Sequence, residues 1–328
     1  PNSAAASRAA RPMAEVAEAD FLLATRGAAR DLGAWVIAAT FDRANRPAFA
    51  VADGTVHLPH LSETWRAITV TEGAILSACA DWRDGLLIGA DDGKLMRVAP
   101  DGTVEPLADY RGKWVDHVAA HESGLRAASV GKAAHLLDGA GKPLKSLAHP
   151  SSVGGLAFDA KGKRLAASHY NGASLWFVAA KEDKPRALEW KGSHHAVAFS
   201  PDGTHVVTAM QEPALHGWRL ADGQHMRMSG YPAKTHSLSF TAKGKWLATS
   251  GAEAVVLWPF FGGGPMGKQP TELAGGDEVF CTRVACHPQH DMVAAGFEDG
   301  LVLLADVASG RVLPIAPPGG GGVSALAW

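Results

Sequence analysis

Several residue clusters in this chain have the types and spacing that chemistry needs. Gly262-Gly-Gly-Pro-Met-Gly267-Lys268 has the glycine–lysine spacing of a phosphate-cradling loop. That chemistry also requires a hydroxyl residue after the lysine for magnesium and a helix to follow. Gln269 and Pro270 stand there instead, so the stretch reads as a glycine-rich loop between two strands. Three cysteines, Cys79, Cys281 and Cys286, are an odd number, and Cys79 lies far from the others. Cys281 and Cys286 are five apart and fall on opposite faces of a regular strand. They read as small core residues, which favours a reducing, cytoplasmic compartment. Fifteen histidines form the largest reservoir of metal-ligating groups. No nucleophile elbow, zinc-protease helix or dinucleotide fingerprint accompanies them.

Composition narrows the classes further. Hydrophobic residues make up 47% of the 328, enough to fill several packed layers, and the formal net charge is only −2. That balance gives no general affinity for nucleic acid or anionic membrane. The apolar run near Leu32–Phe41 is too short to cross a bilayer as a helix.

The elements that position these residues recur. Ser193–Trp258 contains two copies of one pattern of three short apolar runs separated by turn residues, with Gly203 and Gly244 in matching places. Asp53-Gly54, Asp92-Gly93 and Asp299-Gly300 mark hairpin turns between alternating runs. First strands open at Trp35–Phe41, Ala74–Ala80, Trp114–Ala120, Val153–Phe158, His194, His236 and Val279–Cys286, and Val323–Trp328 opens once more. A period near forty with several strands per unit predicts an all-β propeller. The count is seven four-stranded repeats plus the first strand of an eighth, so the intact parent has eight blades, with seven as the runner-up. Residues 1–30 form an N-terminal extension, with a candidate ring-closing strand or short helix at 20–25. Residues 31–328 form a single propeller domain, truncated at its C-terminus.

Across 31–328 the repeats resemble the WD40 family, in a proteobacterial branch of undefined role. Ala-Phe-Ser-Pro-Asp-Gly203, its variants ending at Gly162 and Gly244, and the third-strand Trp176, Trp218 and Trp258 carry the likeness. It implies a stiffening hydrogen-bond set within a blade. His236, Ser250 and Trp258 fit three of its positions, His195, Thr208 and Trp218 fit another copy, and Trp176 is a further indole. The Asp of that set and the Asp after Trp are missing.

In such a ring the first strands line a central channel, so His117, His194, His195, His236 and Cys281 converge there in one reading. That arrangement suits a metal-linked ligand-binding or hydrolytic propeller. The alternative with less to assume is that His195 and His236 are the structural histidines. The favoured function is a non-catalytic, monomeric scaffold with no cofactor or bound metal, holding a protein or peptide on the acidic face. Met210, Gln211, Glu212 and His216 are the leading contacts, with Tyr170, Tyr231, Asp91 and Asp92 around them, since aromatic residues with a charged rim suit an interface.

Overall fold

The computed structural model describes residues 20–59, 65–275 and 278–328. The first part of the N-terminal extension therefore lies outside the described residues. Twenty-six strands and one short helix are found among them. All strands pair antiparallel and fall into six sheets, spanning 36–69, 75–109, 117–148, 155–229, 238–275 and 281–316. The opening strands of neighbouring sheets pack side by side about a common axis, which gives a propeller.

The Asp-Gly turns act as expected. Asp53, Asp92 and Asp299 each accept the backbone N–H two residues on, at 3.0 Å. Gly93 has φ +90°, and an added Cβ would lie 2.5 Å from the Gly112 nitrogen, so no side chain fits there.

The number of blades differs from expectation. Six sheets form, not seven blades with part of an eighth. The fourth and fifth sequence repeats merge into one sheet of six strands. Arg164–Phe177 and Arg186–Phe199 each keep strand pairing across 14 residues, the first of them through a tight bend. The second of these pairs with the first from Tyr170↔Ser193 to Leu175↔Arg186, then with His205–Met210 through its other half. Arg164–Phe177 also doubles back at Asn171 and Gly172, both at positive φ, so that the Val178 N–H reaches the Lys163 carbonyl at 2.9 Å.

Val323–Trp328 forms no strand. It lies extended along the last sheet, where the Val323 N–H donates to the Phe297 carbonyl and the Trp328 indole to the Ala285 carbonyl. The segment after Asp20 is a short helix, Leu22–Arg26, and adds no strand to the ring. Phe21, just before it, is buried among Val293, Phe297 and Leu301 of the last sheet. Elsewhere the core consists of clusters between adjacent sheets, such as Val56 with Ile75, Leu86 and Ile88 across the first and second.

Candidate functional site

Antiparallel order sends the turn between second and third strands, and the lead into each first strand, to the same rim of the ring. Gln211, Glu212 and Tyr170 are exposed on that rim. Asp91 and Asp92 are half-buried and build turns. Asp91 accepts the Ala74 N–H at 2.9 Å, and Asp92 holds the Thr71 hydroxyl and the Lys94 ammonium, both at 2.8 Å. Burial works to raise the Asp92 pKa, but hydrogen bonds from Lys94 and Thr71 outweigh it and hold the carboxyl below its ordinary value.

Three expected contacts are corrected. Met210, His216 and Tyr231 are buried, and Tyr231 shows only an edge, toward a cleft below the rim. Met210 closes a strand opposite His194 and tucks its terminal methyl beneath Gly192. His216 stacks on Trp190 with ring centroids 4.0 Å apart, and its Nε2 pairs with His225 Nδ1 at 2.9 Å. Desolvation, then His225, pushes the His216 pKa down to about 3. Two large aromatics missing from the expected set stand on the rim instead. Trp114 is 62% exposed, Trp35 58% and Tyr170 58%. Trp35 immediately precedes the first strand of the first sheet and Trp114 stands three residues before that of the third, and that placement near a first strand was readable from the repeat. Below the rim, a cleft of about 770 Å³ runs between the six-stranded sheet and the next, lined by Tyr231, Pro232, Glu253, Trp258, Pro270 and Glu272.

The stiffening network is also differently composed. Trp258 Nε1–H donates to the Tyr231 hydroxyl at 2.6 Å, which pairs with Thr249 Oγ1 at 2.6 Å. Trp176 Nε1–H donates to His149 Nε2 at 3.0 Å. Both acceptors precede their indole by 27 residues, a spacing that would have identified them. Ser250 instead accepts the backbone N–H groups of His236 and Ser237, which leaves the His236 ring exposed. Thr208 pairs with His194 Nδ1 at 2.7 Å rather than with His195, and the buried Trp218 indole N–H has no partner among the described residues.

The first-strand histidines do not assemble a metal centre. Among the described residues no group of three or more His, Cys, Asp or Glu is arranged to hold a metal ion. Both His194 nitrogens are engaged, by Thr208 and by the Trp190 carbonyl. Burial raises the thiol pKa of Cys79 and Cys281 to about 12 and of Cys286 to about 11, so all three are protonated and poorly nucleophilic. In the glycine-rich loop, the Lys268 ammonium folds back onto the Phe261 carbonyl and over the Phe261 ring. It is spent within its own loop.

His195 and His236 do meet. Their rings are parallel with centroids 6.4 Å apart, and the buried His195 Nε2 has no hydrogen-bond partner among the described residues. On its other side the His194–His195 backbone packs closely against Gly154 and Gly155, at the start of the preceding first strand. A Cβ on Gly154 would lie 2.3 Å from the His194 carbonyl oxygen. His117 and Arg283 stand at the equivalent level, opposite Ser129 and Gly296 at the ends of their second strands.

A buried ionic cluster had no signal in the repeats. Asp81 accepts Arg126 Nε at 2.7 Å and Arg97 Nε at 3.0 Å, and Arg97 also holds Glu105 at 2.9 Å. The Asp81 and Arg126 side chains are fully buried between the second and third sheets.

No family model matches the chain. Over 306 residues it is 26% identical to telomerase protein component 1 of Mus musculus, a match covering 86% of this chain and 11% of that protein. The chain thus spans about a tenth of that relative's length. Among solved structures, the crystal structure of the computationally designed Ika8 protein aligns with a TM-score of 0.72 at 19% identity, covering 90% of this chain and 91% of the other. At that identity the likeness shows the fold alone: a β-propeller.

Proposed function

We propose that the chain is a WD40-type propeller that acts as a non-catalytic scaffold, binding a protein or peptide on the rim that carries Trp35, Trp114 and Tyr170. The observation that carries this reading is the exposure of three large aromatic side chains on one rim beside Gln211 and Glu212. Monomeric propellers have little reason to leave such groups in water, whereas rigid aromatic anchors with a charged border suit an interface. The cleft between the fourth and fifth sheets, with Glu253 and Glu272 at its edge, adds a groove for an extended basic segment. Similarity to part of a protein named as a component of telomerase fits a module that works within a larger assembly. Three free thiols suit a reducing compartment such as the cytoplasm. Among the described residues, no helix is long and apolar enough to cross a membrane.

The test is crosslinking in the native host with a photoreactive amino acid placed at Trp114, Tyr170 or Glu212. Phe177 and Leu144, exposed at other strand ends, serve as controls. The reading expects one discrete adduct from the first three positions and none from the controls. Equal labelling everywhere, or no adduct at all, would sink it.

A further inference from the structure

We propose that the mouth of the central channel is a binding site for a tetrahedral oxyanion of the phosphate type, held by Arg283, Lys234, His195 and His236. This goes beyond the scaffold reading and does not rest on it. Arg283 is half-buried, yet its bonds go to main-chain carbonyls, Nε to Ser324 at 2.6 Å and Nη1 to Thr282 at 2.9 Å. Among the described residues no carboxylate pairs with it. Burial of this guanidinium lowers its pKa with no acidic partner to offset the cost. Lys234 is likewise half-buried and, among the described residues, donates to the neutral Gln211 amide alone, at 2.7 Å. Charges taken partly out of water without counter-charge are unfavourable until an anion supplies it.

The histidines complete the site. The parallel rings of His195 and His236 lie 6.4 Å apart, and the His195 Nε2 is buried without a partner. Burial lowers the His195 pKa to about 4, and nearby Lys234, His236 and His117 add to the effect. The His236 pKa is lowered by burial, then by Lys234 and Arg283. Two carboxylates act on the neighbouring histidines, Asp116 on His117 and Glu212 on His194. A mouth whose imidazoles are kept neutral by burial first and by nearby cations second is reset by a bound anion, which favours their protonated, donating forms. Charge-assisted bonds from a guanidinium, an ammonium and two imidazoles match the oxygens of a tetrahedral anion.

The experiment is titration of the whole chain with inorganic phosphate at low ionic strength, followed by imidazole resonances and calorimetry. The expected result is saturable shifts of His195 and His236, proton uptake on binding, and affinity that rises as pH falls below neutrality. Arg283→Gln should weaken binding about tenfold or more, with partial recovery in Arg283→Lys. Lys234→Ala should weaken it several-fold, and it keeps the test decisive if the arginine variants fail to fold. Lys161→Ala, on a loop at the opposite rim, should leave affinity unchanged. A parallel titration with O-phosphoserine separates the two sources: tighter binding than inorganic phosphate assigns a phosphorylated side chain, equal or weaker binding the free ion. Absence of saturable shifts, or equal losses in Lys161→Ala and Lys234→Ala, would overturn the proposal.

Discussion

The junction between the second and third sheets and the region around the six-stranded sheet solve one problem in opposite ways. Each must hold radial sheets together near the core. At the first junction the bond is ionic: Asp81 sits between Arg97 and Arg126, and Arg97 reaches Glu105. Around the six-stranded sheet the bonds are neutral, indole to imidazole at Trp176–His149 and indole to phenol at Trp258–Tyr231. Ionic clusters depend on every member, because a buried charge that loses its partner is costly. Neutral pairs lose less when broken, and the Trp176–His149 bond also depends on pH, because its imidazole must stay uncharged to accept.

The largest expected effect is therefore on the ionic side. Arg126→Met leaves the Asp81 carboxylate buried with Arg97 as its one remaining cation among the described residues and should cost about 3–5 kcal/mol of stability, read by chemical denaturation. A cost below about 1 kcal/mol would show that water reaches Asp81 and that the contrast is smaller than drawn. Next, Tyr231→Phe removes the oxygen shared by Trp258 and Thr249 and should cost about 1–3 kcal/mol, with no change in the slope against denaturant.

Acid should separate the two regions. Burial, followed by the nearby His169, pushes the His149 pKa down to about 4, from its ordinary value of 6.5. The unfolded chain therefore binds more protons, and this share of stability shrinks as pH falls from about 6.5 toward 4. For Asp81, burial acts to raise the pKa, but the bonds and charges of Arg126 and Arg97 outweigh it and the value is lowered. Its contribution is present above the ordinary carboxylate pKa and is lost only as pH falls below it. Hydrogen exchange near pH 5 should show the sheets around Trp176 opening before the junction at Asp81. The reverse order would invert the comparison. The smallest effect is expected at an exposed pair joining the third sheet to the fourth, Lys145–Asp183, where Lys145→Ala should change stability by less than about 1 kcal/mol.

Much of the strand pattern was legible because Asp-Gly turns and a period near forty are local signals. The merging of the fourth and fifth repeats was not, because it depends on whether backbone pairing continues past Tyr170 and Ser193, which no side chain announces. The rim was half legible. Gln211, Glu212 and Tyr170 are exposed as expected, but Met210, His216 and Tyr231 turn inward, and one residue of register decides that outcome. The same one-residue ambiguity exchanged His195 for His194 as the partner of Thr208. Asp81 and Arg126 lie 45 residues apart, and only the packing of two sheets brings them together.

The burial of Phe21 against the last sheet has a consequence for biosynthesis. Its neighbours Val293, Phe297 and Leu301 emerge from the ribosome long after it does. The earliest described apolar side chain is therefore among the last to find its place, and must wait in solvent while most of the molecule is made. Docking of this segment is therefore a long-range step that can follow only once the last sheet has been made, a latch between distant parts of the chain.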